Sequence, residues 1–312
     1  MPEYYEPIIA DPQVQAEENR VVNRSLTKQP QPYLSGLKLA ADVEINGLTL
    51  NTIDDNNVVW VVTDIDGWWT LPEPELPDLP RGWGDGSYDA IGRWANRIIT
   101  LNGSFMPQDP EDAAAARNTL IEAVSLVKTG GWLIVDESPR KAAYVRLSGV
   151  PQITSVNARG RHNFSIGLKA VDPIKYEYID GNPDGYNYQD VVSGSSINVT
   201  NSGNVPVPVV FEITGGLTST SSDATFILNN TTGTEIQVIN SVTSSQSLEI
   251  DTHNREILLV NGDTVTNGRS KAAVLVDWIY LDPGVNNIEF EDTSNASSSA
   301  TCRVYWRSGW IG

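Results

Sequence analysis

Hydrophobic and polar residues alternate along most of the chain after residue 36. In FSIGLKA, residues 164–170, four apolar side chains fall on one face and Ser, Gly and Lys fall on the other, which is typical of a half-buried β-strand. The alternation stops at Asp172-Pro173, because proline cannot donate a hydrogen bond to a sheet and restricts the residue before it. The pattern predicts that one sheet ends here and that a second domain follows.

The first half of the chain is predicted to hold six or seven strands and one helix. LKLAADVEING and NNVVWVVTDIDG predict an antiparallel pair, because Asn-Gly is a hairpin turn signal. In QDPEDAAAARNTLIEAVSLVKTGGW, Asp109 is the predicted N-cap, Pro110 takes the first helical position and Gly130 follows the end. The apolar stripe of this helix consists of Ala116, Leu120, Val124 and Val127. We therefore expect an α+β domain, a split β-barrel or sheet with one packed helix.

The second half shows short alternating strands every 8 to 12 residues, separated by Asn-Gly, Gly-Asp and Ser/Thr-rich turns. This spacing without a helix predicts a β-sandwich. The expected domains are an extended N-terminal arm at 1–36, a first domain at 37–172, a linker at 173–194 and the sandwich at 195–312. The arm is predicted from its five prolines and its weak periodicity.

Composition narrows the function classes. A formal charge of −18 argues against a protein that grips nucleic-acid phosphates, which needs clustered Lys and Arg. No apolar run of 18 residues predicts a membrane span, and no secretory signal is recognised at the start. The single Cys302 predicts neither an internal disulfide nor a zinc site.

Candidate catalytic and metal-binding chemistry is sparse. His162 and His253 are the two histidines, and neither lies near a nucleophile signature, so both are interpreted as structural. Asp64 and Asp66 in DIDG, and Asp85 in GDG, look like fragments of calcium loops, but a suitable closing Glu is missing. These aspartates are interpreted as turn residues, and no catalytic residue, cofactor or metal site is expected.

A long loop from residue 68 to residue 90 is the strongest candidate for a functional surface. It is rich in Pro and Gly and carries Trp68, Trp69 and Trp83. A loop of this length in a compact domain usually serves function or forms an interface. The candidate interface has Trp83 as an aromatic anchor, with Arg81 and Asp85 as polar partners. The alternative is that the loop folds back over its own domain.

The order of these elements resembles a known family. A strand pair closed by ING, the loop RGWGDGSYD, the strand IITLNGSF, the capped helix, the run GGWLIVDESPRKAAYVRLSGV and the closing FSIGLKAVDPIKY are similar to the N-terminal belt domain of the distal tail proteins of long-tailed bacteriophages. INVTNSGNVPVPVVFEITGG and LDPGVNNIEFED resemble the second domain of that family. The arm at 1–36 has no counterpart in the family core, and no inserted receptor-binding module is present.

The resemblance implies a structural protein of the virion and not an enzyme. In this family the first domains form a ring, generally a hexamer, at the distal end of the tail. The ring joins the tail tube to the tail-tip or baseplate proteins, and genomic DNA passes through its centre without specific binding. The second domain is expected to be a sandwich of the galectin-like or jelly-roll type. The protein would be made in the host cytoplasm.

Two rival functions come from other classes. A carbohydrate-binding or host-receptor-binding module would need exposed aromatic side chains, and the candidates are Trp306 and Trp310, or Tyr176, Tyr178, Tyr186 and Tyr188. The alternative for these residues is a place in the cores and domain seams, as is usual for aromatics. A glycoside hydrolase would need two carboxylates at a defined separation, and the 39 acidic residues offer many pairs without selecting one.

Overall fold

The structure is a computed structural model that describes residues 41–77, 79–88, 91–156, 160–218, 224–273, 277–293 and 300–312. The expected N-terminal arm at 1–36 lies outside the described residues. Strand accounts for most of the regular structure, and α1, Ala113–Leu126, is the α-helix of the described part.

The strands of the first half of the chain are between two and eleven residues long. Their bounds are β1 Val43–Ile45, β2 Leu48–Leu50, β3 Val58–Asp66, β4 Pro74–Glu75, β5 Leu79–Pro80, β6 Ser87–Tyr88, β7 Arg93–Trp94, β8 Arg97–Pro107, β9 Gly131–Val135, β10 Lys141–Leu147, β11 Gln152–Ser155 and β12 His162–Ala170. A 3₁₀ turn, Pro110–Asp112, precedes α1.

The strands of the second half follow at the short spacing that the sequence predicts. Their bounds are β13 Lys175–Glu177, β14 Asn187–Val192, β15 Ser195–Asn201, β16 Val207–Thr214, β17 Thr225–Asn229, β18 Thr234–Val238, β19 Ser247–Asp251, β20 Glu256–Asn261, β21 Thr264–Asn267, β22 Tyr280–Leu281, β23 Gly284–Asp292, β24 Thr301–Trp306 and β25 Gly309–Trp310. A second 3₁₀ turn is formed by Arg269–Lys271.

The chain divides into two compact units that are not contiguous in sequence. Among the described residues, the first unit comprises those of 41–70, 98–135 and 144–171, and the second comprises those of 71–97, 136–143 and 172–312. The predicted boundary near Asp172 coincides with the last change of unit. However, two earlier segments, both within the expected first domain, group with the C-terminal residues.

The first unit is built on one antiparallel sheet with the strand order β2-β1-β9-β10-β12-β8-β3, and β11 pairs with β12. The two ends of this path are not joined into a closed barrel. Of the two predicted forms, a split barrel or a sheet, the sheet is therefore the correct one. A β-bulge between Val62 and Asp64 interrupts the β3-β8 register. The core of the first unit contains Trp60 and Phe105, whose ring centroids are 5.1 Å apart.

His162 belongs to this core. Its ring stacks on Phe105 at 5.0 Å with an interplanar angle of 3°, and its Nδ1 lies 2.9 Å from the Gly160 carbonyl oxygen. These contacts agree with the structural interpretation of this histidine.

The helix has the predicted register. All four residues of the predicted stripe, Ala116, Leu120, Val124 and Val127, are buried. The start differs in detail, because Pro110 begins a 3₁₀ turn and the Asp109 side chain makes no capping hydrogen bond. Gly130 has a φ of +131°, and a β-carbon there would clash with the hydroxyl of Tyr144. A glycine is therefore required where the chain leaves the helix.

The second unit contains the predicted β-sandwich. One sheet has the order β14-β24-β16-β19-β20-β21, with β22 on β16, and the other has the order β15-β23-β17-β18. Their inner faces meet in a core that includes Phe211, Ile250 and Phe290. Cys302 is fully buried in this core, and burial raises the pKa of its thiol.

The stretch 173–194, expected to be a linker, contains regular structure. β14 pairs along its whole length with β24, and β13 pairs with the start of β10 and with β25. The turn before β13 is held by Asp172, whose carboxylate accepts the Ile174 backbone N–H at 3.0 Å and the Tyr176 hydroxyl at 2.7 Å. The proline signal therefore marks a change of unit and not a flexible connection.

Candidate assembly interface

The predicted loop folds as an extended hairpin, residues 71–97, which we call the hairpin arm. Two short antiparallel ribbons form it, β4 with β7 and β5 with β6. At its tip the Arg81 backbone N–H donates to the Gly86 carbonyl at 3.1 Å. Gly84 and Gly86 have φ values of +90° and +88°, which non-glycine residues rarely adopt. The arm belongs to the second unit.

The hairpin arm exposes an unusual amount of apolar surface. Trp83 is 95% exposed and Ile91 is 97% exposed. Further exposed hydrophobic residues of the arm are Leu71, Leu76, Tyr88 and Trp94. A soluble monomer rarely exposes apolar residues in such density unless the surface binds a partner. The arm is therefore a candidate surface for binding a partner.

Charged side chains flank the exposed tryptophan. The Arg81 guanidinium lies 5.9 Å from the centroid of the Tyr88 ring, and Asp85 is exposed. Further down the arm, Arg93 Nε and Glu75 Oε2 are 2.6 Å apart. Such an exposed ion pair contributes little to stability. Arg81 and Asp85 thus add charged groups beside the exposed Trp83, and polar residues beside an apolar centre are the usual composition of a protein interface.

The base of the arm is anchored by Arg97. This side chain is 1% exposed, its Nε donates to the Pro173 carbonyl at 2.9 Å, and its Nη2 donates to the Ile311 carbonyl. Burial lowers the pKa of Arg97 to about 10. Sequence analysis missed this residue, because an arginine that begins a strand carries no local sign of burial. The exposed tip thus extends from a fixed base.

The structure separates the predicted interface residues. Arg81, Trp83 and Asp85 share the tip of the arm and are exposed. Trp69, which belongs to the first unit, is 46% exposed. Trp68 is completely buried in the core of the first unit. Trp68 is therefore removed from the candidate interface, because no partner can reach its side chain without unfolding.

No cluster of His, Cys, Asp and Glu that could hold a metal ion is found in the described part of the chain. Asp64 and Asp66 lie in β3 and pair with residues of β8, so they are strand residues and their interpretation as turn residues is wrong. Among the residues that the structure describes, no helix has the length and apolar composition needed to cross a membrane.

Comparison with known proteins bears on the identity of the chain. Residues 202–310 match the family model of the C-terminal domain of siphovirus-type tail components. The crystal structure of the Dit protein of phage SPP1, described as a hub of the adsorption apparatus in phages that infect Gram-positive bacteria, is 14% identical. It matches with a TM-score of 0.57 over 86% of this chain and 99% of that chain. No curated protein matches by sequence.

Two structures of the phage P2 baseplate in its activated conformation also match, at a lower level. The calcium form is 12% identical over 86% of this chain and 98% of that chain, and the strontium form is 13% identical over 86% and 99%. Both have a TM-score of 0.39, so the SPP1 protein is the structure with which the fold is compared. The C-terminal part of the chain is therefore similar to the C-terminal domain of siphovirus-type tail components, and the fold resembles that of the Dit protein of phage SPP1.

Proposed function

We propose that this protein is a structural hub of the phage tail, located in the virion at the distal end. Copies of the chain would form a closed ring, a hexamer, that joins the tail tube to the tail-tip proteins and leaves a central passage for DNA. The observation that carries the proposal is the hairpin arm, with its exposed Trp83 and its anchored base. No catalytic step is needed for this role.

A ring requires two different complementary surfaces on each copy, because the same contact must repeat head to tail until it closes. The tip of the hairpin arm fits the role of one of these surfaces. Aromatic side chains at the centre of an interface contribute most of its binding energy, and polar residues at the rim exclude water. In this proposal Trp83 lies at the centre of the interface, and Arg81 and Asp85 lie at its polar rim.

Charge supports a passage that does not hold DNA. The chain carries a formal charge of −18, so six copies at −18 each would carry −108. A strongly negative assembly repels phosphates at long range. DNA could therefore slide past such a ring without binding to it.

The test of the proposal is the Trp83→Ala variant of the full-length protein. We expect the variant to lose the ring in negative-stain images and in sedimentation velocity at concentrations where the parent assembles. Its melting temperature should stay within about 1 °C of the parent, because a side chain that is 95% exposed contributes little to folding.

Val150→Ala is the matched control, since Val150 is 80% exposed and lies in the first unit. This variant should form rings like the parent. Full rings of Trp83→Ala at the parental concentration would remove the arm from the interface. A parent that stays monomeric at every concentration would contradict the ring itself.

A further inference from the structure

A groove lies on the outer face of the sandwich sheet that contains β14, β24, β16 and β19. Two adjoining cavities, of about 320 Å³ and about 110 Å³, share Tyr186, Val210 and Asp251 in their linings. The larger cavity adds Glu212, Glu249 and Tyr305, and the smaller adds Tyr176 and Arg307 among its lining residues. All of these residues belong to the second unit.

Aromatic rings in the groove are held in fixed positions. The rings of Tyr186 and Tyr305 meet edge to face, with centroids 6.5 Å apart. The Arg307 guanidinium lies 4.7 Å from the Tyr186 ring and 4.5 Å from the Tyr176 ring. Its Nη1 donates to the Pro183 carbonyl at 2.8 Å. Because the cation packs against both rings, the groove is organised before any ligand arrives.

Carboxylates line the same groove at defined positions. Glu212 accepts the Tyr305 hydroxyl at 2.8 Å. Asp251 accepts the backbone N–H groups of His253 and Asn254 and the Asn254 side-chain amide. These hydrogen bonds fix the two carboxylates. Hydrogen bonds that already hold an acceptor in place reduce the conformational entropy that is lost when a ligand binds.

Glu249 lies on β19, opposite Glu212 of β16 and two residues before Asp251, and is half-buried. Loss of water raises the pKa of Glu249, and the neighbouring Asp251 and Glu212 raise it further. A polar ligand group that donates a hydrogen bond to this carboxylate would replace the water that burial removes. The centre of the groove therefore favours a ligand rich in hydroxyl groups.

We infer that this groove binds a neutral saccharide. The exposed face of Tyr186, which is 41% exposed, offers a flat apolar surface to the C–H side of a sugar ring, and the three carboxylates accept its hydroxyl groups. Asp172 adds a fourth carboxylate to the lining against the single guanidinium of Arg307. This excess of negative charge disfavours anionic sugars, because like charges repel at short range. The inference does not depend on ring formation.

The inference is tested with the purified full-length protein on an array that pairs neutral oligosaccharides with their sialylated counterparts. We expect at least one neutral oligosaccharide to bind with a Kd of about 1 mM or lower, and its sialylated counterpart at least about tenfold more weakly. An array without a neutral binder overturns the inference, and so does equal binding of the sialylated forms. A lysine-rich peptide that binds where every saccharide fails would identify the groove as a site for a cationic protein segment.

Two variants locate the binding. Glu249→Gln keeps the shape of the side chain and removes one of three neighbouring negative charges, so saccharide binding should weaken about tenfold while the melting temperature does not fall. Glu235→Gln is the control, since Glu235 is an exposed carboxylate on the other sheet. Tyr186→Ala should abolish binding. Unchanged affinity in both groove variants would show that the saccharide binds elsewhere and would overturn the inference.

Discussion

At the scale of single residues, Asp172 holds the turn after β12 through the Ile174 backbone N–H and the Tyr176 hydroxyl. The Asp-Pro signal correctly predicts where β12 ends, because the restriction that proline imposes is local. It does not predict that Asp172 bonds the Tyr176 hydroxyl, since that contact depends on how the chain turns after the proline. The sequence does not predict the burial of Arg97 and Lys175 either. Their surroundings come from segments far apart in sequence.

The first residue-scale prediction concerns the turn at Asp172. Tyr176→Phe should lower the free energy of unfolding by about 1 kcal/mol, because it removes one hydrogen bond to a carboxylate and keeps the ring. Tyr188→Phe is the control, since Tyr188 is 64% exposed, and it should be neutral. Urea denaturation of the two variants measures the difference. Equal stability of both would mean that water replaces the lost bond without cost.

The second residue-scale prediction concerns Lys175. Burial lowers the pKa of Lys175 to about 8, with Glu137 acting against this change and Arg97 and Lys141 adding to it. Between pH 8 and the ordinary lysine pKa of about 10.5, the unfolded chain binds more protons at this residue than the folded chain. The contribution of Lys175 to the free energy of unfolding is therefore unfavourable below pH 8 and becomes less so as the pH rises through this window.

Lys175→Met should accordingly be more stable than the parent at pH 7, by about 2 kcal/mol. This advantage should shrink as the pH rises from about 8 to 10.5. Denaturation of both proteins across that range tests it, and the other titrating groups cancel in the comparison. Lys128→Met, at an exposed position, should show no such trend. A constant difference between parent and Lys175→Met would mean that Lys175 keeps its charge throughout.

At the scale of elements, long periodic segments are predictable and short paired segments are not. The stripe of α1 and the strands of the sandwich follow from periodicity, because burial on one face imposes it. The ribbons of the hairpin arm are two residues long on each side, too short for any alternation to show. β13 has only three residues and lies in a stretch that the sequence predicts to be a linker. Its pairing with β25 joins residues more than a hundred positions apart.

The element-scale prediction concerns the register of α1. Leu120→Asp places a charge on the buried face and should cost about 3 kcal/mol or more of unfolding free energy. Asn118→Asp, two residues earlier on the exposed face, should be close to neutral. Thermal melts followed by circular dichroism measure both. The reverse order would mean that the helix packs through its other face.

At the scale of the whole molecule, the sequence correctly predicts a sandwich after a helix-bearing sheet, but not the segments from which each unit is assembled. Residues 71–97 and 136–143 group with the C-terminal unit, because folding brings together parts of the chain that no local pattern connects. The candidate interface was found from composition alone, since exposed tryptophans among prolines and glycines are unusual. The buried position of Trp68 could not be read in the same way, because adjacent tryptophans look alike in sequence.

The whole-molecule prediction concerns protection of the arm on assembly. In the free chain, trypsin should cleave after Arg81 early, because the tip is exposed. In assembled rings this cleavage should slow about tenfold or more if the tip is covered by a neighbour. Cleavage after Arg255, in the exposed turn before β20, is the internal control and should keep its rate. Equal slowing at both sites would indicate general protection and not a specific contact.

The buried Cys302 makes the protein well suited to fluorescence labelling. Because the sequence holds a single cysteine, and this thiol is enclosed in the sandwich core with its pKa raised by burial, the folded chain presents almost no reactive thiolate. A cysteine introduced at the exposed Val150, away from the candidate interface, would then be the one position that a maleimide dye labels. Energy transfer between donor- and acceptor-labelled copies would follow subunits as they join, in real time and without purifying the assembled particle.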